Sequence, residues 1–109
     1  MRVVTTGAVL AALFFLLPVP ARAAGDAAKG AKVFATKCKS CHAAQGQGNP
    51  AIAKSLKVVF ADLKSAEVQK KSDAELKKLA MGGHGKKKPV KNVTPAELDD
   101  ALAFVREMK

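Results

Sequence analysis

The segment Cys38-Lys39-Ser40-Cys41-His42 reads C-x-x-C-H and contains both cysteines of the chain. This spacing is typical of a site where haem is attached covalently. Two thiols three positions apart can each add to one of the two vinyl groups of a haem. The next residue, His42, then lies beneath the iron and can donate an imidazole nitrogen. The sequence therefore predicts one covalent haem c, with His42 as an iron ligand.

The cysteine pair has three other interpretations, one of which is a chance occurrence of the spacing. A Cys38–Cys41 disulfide is another, and its active form is a thioredoxin-like redox pair. That fold is built from βαβ units, and the sequence has almost no strand signals. A zinc site is the third, but it needs two further ligands, and His84 is the one obvious candidate that remains. Haem attachment is the interpretation that we favour.

The start of the chain has the three parts of a secretory signal peptide. Arg2 provides a short positive start, residues 8–17 are apolar, and Ala21-Arg22-Ala23 supplies a small-x-small cleavage pattern. The alternative is an uncleaved membrane anchor, which would need about 20 apolar residues. We expect a signal peptide over residues 1–23, a single domain over residues 24–109, and a periplasmic location.

The chain is strongly basic, with 19 Lys and Arg against 9 Asp and Glu. Export would remove Arg2 and Arg22 and leave 17 against 9, a formal charge of +8. Such a charge favours an acidic redox partner protein or an anionic membrane surface. Nucleic acid is not expected as a partner, because the exported chain has no basic face rich in aromatic residues.

Periodicity and capping signals predict an all-α domain. A helix is expected to start at Asp26 and to run directly into Cys38. Capping boxes at residues 72–75 and 94–97 predict two further helices. The first of these should end at the paired glycines 82–83, and the last helix of the chain at about Met108. Between them, the apolar residues of 52–60 predict irregular chain or a brief helix.

A core without Trp or Tyr in so small a domain is marginal. Such domains commonly need a disulfide, a metal or a large cofactor to hold them together. A haem bound at Cys38 and Cys41 would fill that role.

From Gly25 to Lys109 the sequence resembles the class I c-type cytochromes, especially the small bacterial monohaem ones. The resemblance rests on Gly30, Phe34, the C-x-x-C-H segment, Gly46-Gln47-Gly48-Asn49-Pro50, and Ala103-Phe104-Val105. It implies helices wrapped around one haem, with the first and last helices crossing at Gly30 and Phe104. It also implies that the Pro50 carbonyl accepts the Nδ1 proton of His42, a bond that orients such ligands.

The sequence departs from this family in the loop of residues 82–91, which contains no methionine to bind the iron as a sixth ligand. Lys87 stands where the methionine of the family's Gly-x-Gly-Lys-Met pattern is expected, and alignment on a Met-Pro pair gives Lys88. A lysine would have to bind as a neutral amine. The other candidates are His84, Met81 near a helix end, Met108 at the end of the chain, and an open position.

The leading functional hypothesis is a monomeric periplasmic carrier of single electrons. The Lys86–Lys91 cluster should lie near the exposed haem edge and guide an acidic partner. Nitrogen ligation in place of methionine should lower the reduction potential. One alternative is a sensor that binds a small ligand at an open or exchangeable sixth position. The other is a haem subunit of a larger redox complex. Nothing in the sequence indicates an enzyme acting alone.

Overall fold

A computed structural model describes residues 25–83 and 85–109 of the chain. The predicted signal peptide (residues 1–23) and His84 lie outside these described residues. The described ranges are helical and contain no β-strand, which confirms the predicted all-α fold class. The helices are α1 (Ala27–Val33), α2 (Lys39–His42), α3 (Pro50–Leu56), α4 (Ala66–Gln69), α5 (Asp73–Gly82) and α6 (Pro95–Glu107), with a π-helical turn, Phe34–Cys38, joining α1 to α2.

Helix α1 begins as predicted, because Asp26 caps it. The Asp26 carboxylate accepts hydrogen bonds from the backbone N–H groups of Ala28 (2.9 Å) and Lys29 (3.1 Å), which have no partner within the helix. The helical path continues without a break into Cys38, also as predicted. The change of pitch at Phe34–Cys38 was not predicted. Such π turns are rare and occur often at functional sites.

Helices α1 and α6 cross at Gly30, as the resemblance implied. A Cβ atom at Gly30 would overlap the carbonyl group of Asp100 and lie 3.0 Å from the backbone nitrogen of Ala101. Next to this contact the rings of Phe34 and Phe104 pack with centroids 5.4 Å apart, tilted by 56°. Only glycine allows the two backbones to approach this closely.

Both predicted capping boxes are formed. Ser72 and Glu75 exchange hydrogen bonds of 3.1 and 3.2 Å at the start of α5, and Thr94 and Glu97 exchange two bonds of 3.1 Å at the start of α6. Helix α5 ends at Gly82, and α6 ends one residue before Met108.

Between the capped helices, the segment at 52–60 gives the brief helix that was one of the two expectations, α3. Helix α4 was not predicted. It has four residues, too few for a periodic apolar pattern to show.

The core is built around one face of α6. Phe34 from the π turn and Val68 from α4 are also buried in this core. The buried side chains of α6 are Leu98, Ala101, Leu102, Ala103 and Val105. Arg106, on the same helix, donates to the carbonyls of Gln69 (2.9 Å) and Lys71 (2.6 Å) and to the Asp73 carboxylate (2.8 Å). Helix α6 therefore organises the domain. Across the described ranges, every helix is too short or too polar to cross a bilayer.

Candidate functional site

The three chemically distinctive residues of the C-x-x-C-H segment lie on one wall of an open cavity of about 840 Å³. Cys38 ends the π turn, and Cys41 and His42 end helix α2. Both cysteines are free thiols, so the disulfide alternative is not formed in this structure. The volume lies within the range of about 300–1,000 Å³ that is common for ligand and cofactor sites.

The rest of the wall is mainly apolar and comes from every part of the domain. Helices α5 and α6 contribute part of it, and the segments 59–63 and 87–93 contribute much of the rest. Its apolar residues include Phe34, Leu76, Leu79, Leu98, Leu102 and Val105. Several core residues therefore face this space, and a large apolar group in it would complete their packing.

The segment after the motif holds the motif's backbone in place. The N–H of Gly48 donates to the His42 carbonyl (2.8 Å), and the N–H of Asn49 donates to the Cys41 carbonyl (2.8 Å). The Asn49 side chain donates to the Ser40 carbonyl (3.0 Å) and accepts from the N–H of Ala51 (3.0 Å) at the start of α3. Sequence reasoning gave Asn49 no role, although Asn followed by Pro is a known signal for a helix start.

The His42 ring is oriented by packing. Its centroid lies 5.5 Å from that of Phe60, and the two rings are tilted by 60°. Its Nδ1 atom is buried and has no hydrogen-bond partner among the described residues. Sequence reasoning placed Phe60 in an apolar patch but did not connect it with His42, because nothing in the spacing of the two residues shows that they meet.

The predicted hydrogen bond between His42 Nδ1 and the Pro50 carbonyl is not formed in this structure. Pro50 is the first residue of α3. The carbonyl at this position of an α-helix accepts the N–H four residues later, so it points along the helix. Pro50 itself does not line the cavity.

Burial shifts the pKa of two motif side chains, His42 and Cys38. It lowers the pKa of His42, and the nearby positive charge of Lys87 lowers that pKa further. The imidazole is thereby kept neutral, the form that binds metals. The pKa of the Cys38 thiol is raised to about 11, mainly by burial and to a smaller extent by the neighbouring Cys41.

The candidates for the sixth ligand lie in different places. Lys87 lines the cavity, is half-buried, and holds its Nζ atom 5.4 Å from the centroid of the Phe60 ring. Lys88 also lines the cavity but is exposed. Met81 is 44% exposed and is not among the lining residues, and Met108 lines a separate small cavity beside Phe104.

These features fit a covalently held haem. Two free thiols at the required spacing, an imidazole whose buried Nδ1 lacks a partner, and a mainly apolar cavity meet in one place. Within residues 25–83 and 85–109, no three or more His, Cys, Asp or Glu residues are grouped in a way that could hold a metal ion. The one ligand suggested to complete a zinc site, His84, lies outside the described residues.

Comparison with known proteins agrees with this geometry. A sequence description of the cytochrome c family matches residues 27–109. The chain belongs to the cytochrome c family. It is a small class I c-type cytochrome, and its cofactor is a covalently bound haem c with its iron. Cys38, Cys41 and His42 are the residues predicted to hold this haem.

Among solved structures, this cytochrome is similar to the KustC0563 c-type cytochrome. The two chains are 28% identical, with a TM-score of 0.61 over 73% of this chain and 96% of that one. No curated protein matches the chain.

Proposed function

We propose that this cytochrome carries single electrons in the periplasm, through a haem held by Cys38, Cys41 and His42. The observation that carries the proposal is that Cys38, Cys41 and His42 all line the same cavity. A haem bound there supplies a one-electron couple at its iron. Membership of the cytochrome c family supports electron transfer in general, and the periplasmic location is part of the proposal.

The chain's own residues suit such a carrier. Cys38 and Cys41 would attach the haem through two bonds. His42 is held by packing on Phe60 and by a backbone bond from Gly48, in the segment after the motif. A haem packed against the mainly apolar wall would be shielded from water on that side. A site anchored in this way rearranges little when the charge at its centre changes, which favours fast electron transfer. No acid–base set beside the cavity is needed for this function.

The edge of the cavity supports the proposal of an acidic partner protein. Lys37, Lys88 and Lys91 line the cavity and are exposed, and the exported chain carries a formal charge of +8. Positive charge beside the cavity would steer an acidic surface towards the haem. An anionic membrane surface would be attracted by the same lysines, and a monomer would present them freely.

A redox titration of the exported protein, followed by its visible spectrum, tests the proposal. We expect one reversible couple that fits a single electron, and a reduced form that binds carbon monoxide slowly or not at all. Rapid carbon monoxide binding would instead favour the sensor alternative. The absence of a reversible couple would contradict both. Co-purification in a stable complex with a redox enzyme would favour the alternative that the chain is a haem subunit of a larger complex.

The proposed location has its own test. When the full chain is expressed in a bacterium with a periplasm, the haem protein should appear in the osmotic-shock fraction with Ala24 at its N-terminus. Recovery in the membrane fraction with residues 1–23 still attached would instead support the membrane-anchor alternative.

A further inference from the structure

We propose that the side-chain amine of Lys87 is the sixth ligand of the haem iron. The inference rests on the haem-based function proposed above. It goes beyond that function because it assigns the iron a nitrogen ligand from this chain's loop.

The chemistry of the lining residues limits the choice of ligand. Neither Met81 nor Met108 lines the cavity, so the wall contributes no thioether sulfur from the described residues. Beyond the motif itself, the cavity-lining side chains that can bind iron are Glu67 and the lysines Lys37, Lys71, Lys87, Lys88 and Lys91. An amine nitrogen is therefore the most abundant donor facing the site.

Among these lysines, Lys87 is the one that the structure connects to His42. Its Nζ atom lies 5.4 Å from the centroid of the Phe60 ring, and that ring lies 5.5 Å from the His42 ring. Lys37, Lys88 and Lys91 are exposed, whereas Lys71 and Lys87 are half-buried. Of these two, Lys87 is the one whose Nζ atom lies over the Phe60 ring.

The backbone that carries Lys87 is held at both ends of its loop. The N–H of Val90 donates to the Ala80 carbonyl in α5 (2.9 Å). Gly83, with a φ of 72°, packs so closely that a Cβ atom there would lie 2.9 Å from the Lys87 carbonyl oxygen and 3.0 Å from Cδ of Pro89. A ligand is effective when its own backbone is supported in this way.

Bond formation needs the nitrogen lone pair, so the Lys87 ammonium gives up one proton to solvent as the nitrogen binds the iron. No electron is transferred in this step. An arginine at the same position keeps its positive charge but cannot give up its proton in a protein. Lys87→Arg therefore separates ligation from charge, and Lys88→Ala is the matched control in the same loop.

The experiment compares the visible and near-infrared spectra of the oxidised, haem-loaded variants. The wild type should be low-spin and lack the sulfur-to-iron charge-transfer band. Lys87→Ala and Lys87→Arg should both become high-spin and bind carbon monoxide at least about tenfold faster once reduced, while Lys88→Ala and His84→Ala keep the wild-type spectrum. Lys87→Met should gain the sulfur band and a higher reduction potential.

Unchanged spectra for Lys87→Ala and Lys87→Arg would overturn the assignment, as would a loss of the low-spin state in His84→Ala or Lys88→Ala instead. Covalent haem content and the reversible couple are measured on every sample. If the covalent haem and the reversible couple persist while the Lys87 variants keep the wild-type spectrum, the ligand assignment fails and the carrier function stands. If the wild type holds no covalent haem, the function fails first.

A measurement on the wild type covers the case in which a Lys87 variant does not fold. In the reduced, diamagnetic protein labelled with isotopic lysine, one lysine side chain should show methylene signals shifted far upfield, because they lie above the haem ring. Sequential assignment should identify it as Lys87. Normal shifts for all lysines, or a shifted lysine other than Lys87, would contradict the proposal.

Discussion

Gly30 shows how one residue position controls the way two helices meet. The position lies inside α1, where glycine is a poor helix former, yet it is buried against the backbone of α6 at Asp100. The low helix propensity of glycine is offset by the close approach of the two helices that it allows. This approach also brings Phe34 and Phe104 together. The backbone of α6 cannot move aside without disturbing the core that the same helix provides.

Gly30→Ala should therefore destabilise the protein by about 1–3 kcal/mol or more, because an added methyl group overlaps backbone atoms. Gly82→Ala is the matched control. Gly82 ends α5, and nothing lies within 4 Å of a Cβ atom added there, so we expect the free energy of unfolding to stay the same or to rise slightly. Chemical denaturation of both haem-loaded variants measures the difference. Equal stability of the two variants would contradict the close contact at the crossing.

For individual residues, the sequence could predict a role only where that role depends on spacing alone. The positions of Cys38, Cys41 and His42 in the C-x-x-C-H segment are sufficient to predict covalent haem. The contact between Phe60 and His42 and the partner of the His42 Nδ1 atom depend on where the chain folds back, and no local pattern records that. The prediction for Pro50 was carried over from the resemblance, and in the structure Pro50 is the first residue of α3.

Among the helices, the starts were predictable and the internal irregularities were not. A capping residue acts within one helical turn, so Asp26, Ser72 and Thr94 could be recognised directly. No sequence pattern predicted the π turn at Phe34–Cys38. The Thr36 hydroxyl, within hydrogen-bond distance of the Lys32 (3.1 Å) and Val33 (3.2 Å) carbonyls, is a weak local sign of it. Helix α4 is too short to give a pattern.

The contact of α6 with the segment around α4 and α5 depends on one arginine. Arg106 reaches two backbone carbonyls and the Asp73 carboxylate at once, which the planar guanidinium group allows. Arg106→Lys keeps the charge but cannot make all three contacts, so the free energy of unfolding should fall by about 1–3 kcal/mol. Denaturation of the haem-loaded protein checks this. A lysine variant as stable as the wild type would show that charge alone matters at this position.

For the whole molecule, we expect the haem to be a structural component as well as a redox centre. Leu98, Leu102 and Val105 belong to the buried core and also line the cavity. A domain of this size with so few aromatic residues has little other apolar surface to bury. Composition and the cysteine pair together predict that the core needs the haem. The shape of the cavity could not be predicted in this way, because its lining residues are far apart in the sequence.

The net charge should control encounter with a partner. Lys91→Glu reverses one exposed charge at the edge of the cavity, and we expect it to slow electron transfer to an acidic redox protein a few-fold at low ionic strength. The effect should shrink as added salt screens the charges. Lys109→Glu makes the same change beside the separate small cavity and is the control. Stopped-flow rates that fall equally in both variants would indicate a general charge effect without a docking site at the cavity.

The central claim is that Cys38 and Cys41 bind one haem covalently in an exported chain. The intact mass of the exported protein under denaturing conditions tests it most directly. We predict the mass of residues 24–109 plus one haem that stays bound after denaturation. The mass of the chain alone, or of a chain lighter by the hydrogens lost in one disulfide, would contradict the account.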